Sequence, residues 1–328
     1  MNEIIANKKS QLDTNFPLVT ICVPNYNKSK FIEHTLASIY AQTYKSIEII
    51  IIDDCSTDDS NLIIKAVLKE CPFKYIYIQN PENKGVCAAA NTGLRLSSGK
   101  YFQILSSDDI ILPNKIMHQV NLLEASQDDV AFIYSPTNII DEDGLYIKKN
   151  YFNTIGFEGN KMPFGNIYED LLKLNFIPAL TILIKSDCIK SVGGYDEKLR
   201  SEDWEMSLLL SKRYKVFYDN TITANYRIEK KSLMHSQKNM AIVYDSFCST
   251  LLKHVNQDSF YDKIIFKKIS HFAIIIYAND GNSAKFWFLK SFFYSFSFKN
   301  LIYTLSSTAG IKYHWLKKWK QVYMPKGK

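Results

Sequence analysis

Short apolar segments alternate with amphipathic ones along the first 230 residues of the chain. Residues 18–23 and 47–52 are almost wholly apolar and rich in β-branched side chains, which predicts strands buried on both faces of a sheet. Further strands are predicted at 74–78, 100–105, 130–134 and 181–185. Because helices fit between these strands, the pattern predicts right-handed βαβ units in a mixed or parallel α/β sheet.

The intervening helices are predicted from capping residues and apolar spacing. Ser29 is expected to cap one helix, and Ser201 another that carries Glu202, Asp203 and Trp204 in its first turn. Other helices are predicted near 59–69, from Gly85 to Ser97, and from Pro113 to about Ser126. Residues 150–178, which contain Gly and Pro, predict an irregular loop.

From about residue 235 onward the pattern is helical and rich in aromatic residues, without a strand signal. We therefore expect an N-terminal extension at 1–15, an α/β domain at 16–230 and a helical region at 231–328. The helical region carries 15 Lys and 4 Asp, a balance of +11, which leaves −4 for residues 1–230 of a chain with net charge +7. The two regions thus differ in electrostatic character.

The composition is that of a globular protein. With 46% hydrophobic and 22% charged residues among 328, it excludes a collagen-like or largely disordered chain. The six cysteines are scattered, without a C-x-x-C pair or a Cys/His cluster at metal-ligand spacing, which indicates a reduced compartment. The N-terminus lacks the apolar core of a secretory signal, and no window approaches the ~18 apolar residues of a membrane span. We expect a cytoplasmic protein, soluble or peripheral on the inner face of the cytoplasmic membrane.

Two basic aromatic segments lie in the C-terminal region, KFWFLKSFFYSFSF at 285–298 and YHWLKKWK at 313–320. Such segments can bind the interface of an anionic membrane, here through residues 285–320, with Lys toward the headgroups. They can equally form a helical subdomain whose aromatic side chains pack inward while Lys faces solvent. Nucleic-acid binding is not expected, because no recognised nucleic-acid-binding module accompanies the basic residues.

Two pairs of adjacent acids follow predicted strands. Asp53-Asp54 comes after the second strand and Asp108-Asp109 after the fourth. Ligands of open α/β sheets bind beyond the carboxyl ends of the strands, where both pairs lie. Carboxylates at that edge can hold Mg²⁺ or Mn²⁺, and such a cation neutralises the charge that develops on a diphosphate leaving group. Either pair can instead cap a helix or shape a turn.

A third acidic element, Glu202-Asp203, opens a predicted helix. Attack by an acceptor hydroxyl on an anomeric carbon needs a general base, and a carboxylate within hydrogen-bond reach is the usual choice. The N-terminus of the helix favours the ionised form of Asp203, which suits a base. By itself the element also fits two acids that merely interact with the helix dipole.

Two other enzyme classes fit less well. No G-x-G-x-x-G follows the first strand, which disfavours a dinucleotide-dependent dehydrogenase. No Gly-rich, Lys-bearing phosphate loop lies near that strand, which disfavours nucleotidyl transfer.

Six motifs in order resemble the inverting family 2 glycosyltransferases of the GT-A fold, over roughly residues 16–230. They are PNYN at 24–27, IIIIDDCSTDDS at 49–60, NPENKGVCAAANTGL at 80–94, YFQILSSDDIILP at 101–113, VGGYDE at 192–197 and SEDWEMSLLLSKRYKV at 201–216. Each motif alone is weak, whereas six in the expected order are specific. The resemblance implies a GT-A catalytic domain, a Rossmann-like mixed α/β sheet flanked by helices, followed by the helical, aromatic-rich C-terminal region.

The resemblance also implies donor-site residues. Pro24 and Tyr26 would line the pocket of the nucleotide base, with Tyr26 packing on the base. Asp54 would accept a hydrogen bond from the base, most simply from N3–H of uracil or thymine, while Asp53 would support that loop. The same resemblance places two further residues of the 80–94 motif, Gly85 and Asn91, in the nucleotide-sugar site.

The remaining roles implied by the resemblance concern metal and catalysis. Asp108 and Asp109 match the end of the family's D-x-D element and would contact the ribose and a divalent cation, Mn²⁺ or Mg²⁺. Asp203 would be the catalytic base, with Glu202 beside it to orient the acceptor. The implied reaction is a direct displacement with inversion, from a nucleoside-diphosphate sugar, most simply a UDP-sugar, to a hydroxyl of a glycan or lipid-linked acceptor. Many such bacterial enzymes build surface polysaccharide such as capsule or O-antigen.

Three positions depart from the family pattern. Ser106 stands where many relatives have the first acid of D-x-D, Ala90 where an Arg often precedes the Asn, and Glu229 where a His commonly contacts the metal or diphosphate. The changes predict weaker metal affinity, or compensation by basic residues nearby. The candidates for that compensation are Arg227, Lys230 and Lys231. The departures also leave open a catalytically degenerate GT-A module that acts in binding or scaffolding.

Overall fold

The structure, a computed structural model, describes residues 3–7, 16–155, 162–229, 237–256, 258–292, 294 and 298–316. The chain forms two compact units. The first comprises Met1–Leu171, Asn175–Lys198 and Glu202–Glu229, and the second comprises Leu172–Leu174, Leu199–Ser201 and Lys230–Lys328.

An eight-stranded sheet is the main element of the first unit. Its strands are β1 (Glu3–Ala6), β2 (Val19–Asn25), β3 (Ile47–Asp53), β4 (Lys74–Gln79), β5 (Tyr101–Ile104), β7 (Val130–Tyr134), β10 (Leu183–Lys185) and β11 (Lys215–Tyr218). The order is β1-β4-β3-β2-β5-β10-β7-β11. Strands β2 to β5 are mutually parallel, whereas β1 and β10 run antiparallel to their neighbours. The mixed α/β sheet predicted from the sequence is therefore confirmed.

The first unit also contains a smaller, four-stranded sheet. It consists of β6 (Ile110–Ile111), β8 (Thr137–Ile140), β9 (Tyr146–Lys148) and β12 (Ala224–Arg227), in the order β6-β12-β8-β9. Strand β12 pairs antiparallel with β6, with Asn225 opposite Ile110, and parallel with β8. The pairing brings the end of β12 beside the turn that follows β5. The shortest strands, such as β6 and β1, were not predicted from the sequence, because so few residues do not show a clear hydrophobic alternation.

The helices of the first unit lie between these strands. They are α1 (Ile32–Tyr40), α2 (Ser60–Val67), α3 (Val86–Leu96), α4 (Lys115–Glu124), α5 (Tyr168–Lys173), which extends into the second unit, α6 (Ser186–Ser191) and α7 (Asp203–Ser211). Short 3₁₀ helices lie at Leu68–Glu70, Tyr151–Thr154 and Ala179–Thr181. The sequence predicted an irregular loop at residues 150–178. That prediction is wrong in part, because helical segments lie within this range.

Two predicted helix caps are wrong. Helix α1 follows Phe31 rather than Ser29, because a turn precedes it in which the Phe31 nitrogen donates to the Lys28 carbonyl at 2.9 Å. Helix α7 follows Glu202 rather than Ser201, and no side chain caps it by a hydrogen bond at that position.

Helices cover both faces of the large sheet. All seven residues of β3 are buried, as its run of Ile predicts. On one face, Ile21 of β2 belongs to an apolar cluster with Leu36 of α1 and Ile116 of α4. On the other face, α3 approaches β2 so closely that a Cβ on Gly93 would lie 2.3 Å from Cys22 Sγ. The close approach fixes α3 against β2, the neighbour of the strand that leads into the first acid pair.

The second unit is helical. Its helices are α8 (Gln237–Leu252), α9 (Ser259–Ala278), α10 (Ala284–Ser291) and α11 (Phe298–Thr308). Phe266 stacks on Tyr294 with ring centroids 4.0 Å apart, and the buried Trp287 donates a hydrogen bond to Asp245 at 2.7 Å. Phe286 and Leu289 of α10 are instead exposed. The aromatic residues of this unit thus divide between packing and exposure.

All six cysteines are free, and five of them are buried. Among the described residues, no helix is both long and apolar enough to cross a membrane. Residues 317–320 of the basic aromatic segment lie outside the described residues.

Candidate active site

The carboxyl ends of three parallel strands are tied together at one edge of the large sheet. Asn25 ends β2, Asp53 ends β3 and Asn80 follows β4. The Asp54 nitrogen donates to the Asn25 carbonyl and the Asn80 nitrogen to the Asp53 carbonyl, each at 2.8 Å. The first acid pair therefore lies at the edge where ligands of such sheets bind.

Asp53 holds the loop that follows β2. Its carboxylate is fully buried and accepts hydrogen bonds from Asn25 Nδ2 at 2.8 Å and from the hydroxyl of Ser56. Ser56 Oγ in turn accepts from the backbone nitrogen of Asn27 at 2.9 Å, and Asn27 has a left-handed φ of 53°. These contacts are of the supporting kind that we predict for Asp53.

Pro24 and Tyr26, which we predict to line the base pocket, lie on either side of Asn25. Pro24 is partly buried, whereas the side chain of Tyr26 is 47% exposed. The Tyr26 ring is accessible to a ligand, and its packing on a base stays a prediction.

Asp54 organises a second loop, between β4 and α3. Its carboxylate is 4% exposed and accepts from Asn80 Nδ2 at 2.9 Å, from Lys84 N at 3.0 Å and from Gly85 N at 2.7 Å. Gly85 has a φ of 87°, which favours glycine at the start of α3. Both carboxylate oxygens of Asp54 thus already have donors, and its contact with the base stays a prediction.

The ammonium group of Lys28 lies between two carboxylates from distant parts of the chain. Lys28 Nζ is 2.7 Å from Asp108 Oδ2 and also forms a salt bridge with Glu229. Burial alone would lower the pKa of Lys28, but the two acids outweigh it and raise that pKa. Burial and the neighbouring Asp108 carboxyl raise the pKa of Glu229. The two acids therefore converge on one cation.

Asp109 has a different environment from Asp108. It is 4% exposed, and its Oδ1 accepts a hydrogen bond from the Arg227 nitrogen at 3.0 Å. Burial and then the charge of Asp108 raise the pKa of Asp109 well above its usual range. Asp109 is thus more buried than Asp108 and one of its oxygens is already bonded, and its role as a metal ligand stays a prediction.

The guanidinium of Arg227 fixes the same turn. It donates to the carbonyls of Asp108 at 2.8 Å, Asp141 at 2.9 Å and Glu142 at 3.1 Å, and lies 4.9 Å from the ring centroid of Phe31. Arg227 is only 5% exposed and binds three backbone carbonyls, and its compensation at a diphosphate stays a prediction. Lys230 and Lys231, the other candidates, lie outside the described residues.

Asp108 and Glu229 could together hold a divalent cation. Both are partly exposed, and the Lys28 ammonium marks a point that both carboxylates can reach with a positive charge. Mg²⁺ and Mn²⁺ are commonly bound by one or two carboxylates together with phosphate oxygens and water. In the described parts of the chain, no three His, Cys, Asp or Glu residues form a metal cluster. The donor set thus fits a cation that a diphosphate helps to bind.

Glu202 and Asp203 stand at the N-terminus of α7. The buried Trp204 anchors this end of the helix, because its Nε1 donates to the Leu171 carbonyl at 2.9 Å. Burial and the adjacent Asp203 carboxylate raise the pKa of Glu202 to about 8. A Glu202 carboxyl with this pKa is protonated near neutral pH, so it can donate a hydrogen bond.

Two tyrosines, one of them in β12, pack against each other. The ring centroids of Tyr151 and Tyr226 are 6.4 Å apart. Burial raises the pKa of Tyr226, and the charges of Asp109, Asp108 and Asp203 add to the shift. Burial likewise raises the pKa of Tyr151, with a contribution from Asp203. Tyr226 lies in β12 next to Arg227, whose backbone nitrogen bonds Asp109 of the second acidic element.

Asn91 makes its contacts within the protein. Its Nδ2 donates to the Tyr195 carbonyl at 2.8 Å and to Glu197 at 2.9 Å, while its Oδ1 accepts from the Tyr195 nitrogen at 2.9 Å. Asn91 thereby fixes residues 194–197 against α3, and its contact with a donor stays a prediction. Ala90 is fully buried beside it.

Three residues near the acidic elements were not predicted from the sequence, namely Lys28, Tyr151 and Tyr226. Lys28 lies in a loop, where no periodic pattern marks it. The signal that could have found it is the departure at 229, because a second acid beside Asp108 calls for a cation.

Comparison with known proteins identifies the family. Residues 20–182 match the sequence profile described as Glycosyl transferase family 2. The UDP-Glc:alpha-D-GlcNAc-diphosphoundecaprenol beta-1,3-glucosyltransferase WfaP of Escherichia coli is 33% identical over 218 residues, which cover 66% of this chain and 79% of that protein.

Two solved structures share the fold. TarS residues 1–349 of S. aureus, in complex with UDP-GlcNAc, has a TM-score of 0.60 at 16% identity, with 92% of each chain covered. The mannosyltransferase PcManGT from Pyrobaculum calidifontis, in complex with GDP-Man and Mn²⁺, has a TM-score of 0.60 at 14% identity, with 97% of this chain and 92% of that one covered. The GT-A fold implied by the motifs is confirmed. The chain therefore belongs to glycosyl transferase family 2 and is a glycosyltransferase.

Proposed function

We propose that this glycosyltransferase moves a sugar from a UDP-sugar to a hydroxyl of a lipid-linked or glycan acceptor, with inversion at the anomeric carbon. The observation that carries the proposal is the meeting of two carboxylates, Asp108 and Glu229, on the Lys28 ammonium group, a donor set suited to a cation and a diphosphate. The name of the E. coli relative specifies a UDP-sugar donor and a diphosphoundecaprenol-linked acceptor, which supports the same substrate classes here.

The donor occupies the carboxyl edge of the parallel strands in this proposal. The exposed Tyr26 ring packs on the base, and the two loops that Asp53 and Asp54 organise enclose it. Asp108 faces the ribose and diphosphate. Because these loops are fixed by buried hydrogen bonds, little ordering remains when the donor binds.

Asp203 is the general base in this proposal. It removes the proton of the acceptor hydroxyl as the hydroxyl oxygen attacks the anomeric carbon, and the nucleoside diphosphate departs from the opposite face. Glu202, which holds a proton near neutral pH, donates a hydrogen bond that orients the acceptor. The positive end of α7 favours negative charge on Asp203 before the reaction.

Asp108 and Glu229 hold the divalent cation in this proposal. The cation, Mn²⁺ or Mg²⁺, supplies positive charge that offsets the charge developing on the leaving diphosphate. The presence of Mn²⁺ beside GDP-Man in PcManGT supports a cation of this kind. Asp109 is left out of the ligand set because it is buried and bonded to Arg227.

The proposed setting is the synthesis of a bacterial surface polysaccharide at the inner face of the cytoplasmic membrane. A lipid-linked acceptor resides in that membrane, so the enzyme must reach its surface. The exposed apolar side chains of α10, which lie beside Lys285 and Lys290, support such a contact.

The donor site is tested by thermal shift of the full chain with UDP, dTDP, GDP and CMP, each with and without Mn²⁺. Stabilisation by UDP that increases with Mn²⁺ is expected. No shift with any nucleotide would favour a degenerate module that acts in binding or scaffolding.

The base is tested with Asp203→Asn. Transfer from UDP-glucose to a polyprenyl-diphosphate sugar is expected to fall by roughly 10²–10⁴-fold, while stabilisation by UDP is unchanged. Asp187→Asn is the matched control, because Asp187 also lies in the first turn of a helix and its side chain is 96% exposed. Retention of full turnover in Asp203→Asn would remove Asp203 from the mechanism.

A further inference from the structure

One positively charged group already occupies the point on which the candidate cation ligands converge. The side chains of Lys28, Asp108 and Glu229 are 26%, 20% and 16% exposed, so their salt bridges are only partly screened by solvent. Lys28 is also fixed at its backbone, where its nitrogen donates to Ser60 Oγ at 3.2 Å. A divalent cation cannot occupy this point while the ammonium group remains there.

We propose that Lys28 is a resident cation that competes with the divalent metal for Asp108 and Glu229, so that metal binds together with the nucleotide diphosphate and not before it. The inference rests on the proposed function, since it assigns the metal to the same two acids. It adds a residue that controls when the metal binds.

The free-energy balance explains why the diphosphate decides the exchange. Without nucleotide, a metal ion must break both salt bridges of Lys28 and gains only two carboxylate ligands in return. With nucleotide bound, phosphate oxygens complete the coordination of the metal. The diphosphate also offers its own negative charge to the displaced ammonium group. Exchange of Lys28 for metal is therefore unfavourable in the free enzyme and favourable in the complex.

Lys30 provides an internal comparison for Lys28. It lies two residues along the same loop, but its side chain is 55% exposed and pairs with Glu142 at 3.4 Å and Asp143 at 3.7 Å. Its removal changes the charge of the loop by the same amount without freeing Asp108 or Glu229. A simple effect of net charge would therefore act equally on both variants.

The test is the affinity of the full chain for Mn²⁺ without nucleotide, measured by electron paramagnetic resonance of the free ion. Lys28→Met is expected to bind Mn²⁺ about tenfold more tightly than the wild type, and Lys30→Met to bind as the wild type does. The double variant Lys28→Met/Glu229→Gln is expected to lose the gain. Addition of UDP is expected to tighten Mn²⁺ binding more in the wild type than in Lys28→Met.

A second measurement, the melting temperature with and without Mn²⁺, tests the same inference if Lys28→Met is less stable than the wild type. Lys28→Met leaves two carboxylates without their cation, so Mn²⁺ is expected to raise its melting temperature more than that of the wild type. Lys28→Gln is the alternative variant if Lys28→Met does not fold.

The outcomes separate this inference from the proposed function. Equal Mn²⁺ affinity in Lys28→Met and the wild type, with Mn²⁺-dependent UDP binding in both, overturns the role of Lys28 and leaves the proposed function intact. If the double variant keeps the tighter Mn²⁺ binding, the role of Lys28 is also overturned, because the metal then lies elsewhere. Absence of Mn²⁺ binding in every variant, even with UDP, overturns the metal site and the inference together.

Discussion

The backbone nitrogen of Arg227 donates a hydrogen bond to Oδ1 of Asp109 at 3.0 Å, across 118 positions of the sequence. The bond joins the end of β12 to the turn that follows β5. It leaves Asp108 and Asp109, adjacent in the chain, with different roles: Asp109 fixes the turn from inside, and Asp108 faces Lys28 at the partly exposed side.

This difference predicts which acid binds the metal. Glu229→Gln is expected to weaken Mn²⁺-dependent UDP binding by about tenfold or more, because it removes one of two proposed carboxylate ligands. Asp109→Asn is expected to leave that binding within about threefold of the wild type, since the amide oxygen can still accept from Arg227. Isothermal titration of UDP at saturating Mn²⁺ measures both. An equal loss in Asp109→Asn would restore Asp109 to the ligand set.

Asp54 gives a prediction about stability. Asp54→Asn is expected to lower the free energy of unfolding by about 2–4 kcal/mol, because one buried oxygen that accepts backbone N–H groups becomes an NH₂ donor. The unfolding midpoint in urea is the measurement. Asp59→Asn serves as the control, since Asp59 is exposed and its side chain does not cap α2. UDP binding is expected to fall with Asp54→Asn as well, because the loop before α3 loses its fixed shape.

The sequence predicted the elements that are buried along their whole length, because nearly all of their residues are apolar. Strand β3 is an example, because its β-branched Ile run is typical of a strand covered on both faces. The strand-end position of Asp53 and Asp54 followed from the same pattern. Short strands such as β6 escaped it, because two residues cannot show a period.

Residues whose position depends on tertiary pairing could not be predicted in the same way. The difference between Asp108 and Asp109 arises from the pairing of β12 with β6, which no local pattern encodes. Lys28 belongs to the site only because residues 108 and 229 are brought to the same loop. The predicted cap at Ser29 is wrong because a turn closed by the Phe31 nitrogen and the Lys28 carbonyl precedes the helix.

The Glu202 carboxyl predicts a pH dependence of stability. Its pKa is raised from 4.5 to about 8 in the folded protein. Between these values the folded state holds a proton that the unfolded state has released, so the contribution of Glu202 to stability is lost as pH rises toward about 8. Glu202→Gln is uncharged at every pH and removes this loss.

The expected result is a difference in melting temperature that changes with pH. As the pH is raised from about 5 to about 9, the melting temperature of Glu202→Gln is expected to increase relative to that of the wild type by at least ~2 °C. This change corresponds to about 1 kcal/mol in the free energy of unfolding. Differential scanning calorimetry across this range measures it. Glu33→Gln, at an exposed position of α1, controls for loss of an acid. A constant difference between Glu202→Gln and the wild type would contradict the raised pKa.

Helix α10 predicts a contact with anionic membranes. Phe286 and Leu289, three residues apart and therefore on one face, are 46% and 56% exposed, with exposed Lys285 and Lys290 beside them. Trp287 and Phe288 are buried, so this helix divides its aromatic residues between the interior and the surface. The exposed pair can enter a membrane interface while the two Lys side chains approach anionic headgroups.

Flotation with anionic liposomes tests that contact. The double variant Phe286→Ser/Leu289→Ser is expected to float less than the wild type. Its partition coefficient into the liposomes is expected to fall by about tenfold or more, because two apolar side chains no longer enter the interface. Leu62→Ser is the matched control, since Leu62 on α2 is 69% exposed and lies in the other unit. Binding is also expected to weaken as salt is raised, because screening reduces the attraction of Lys to the headgroups. If the double variant floats as the wild type does, or if the wild type does not float, α10 does not bind membranes in this way.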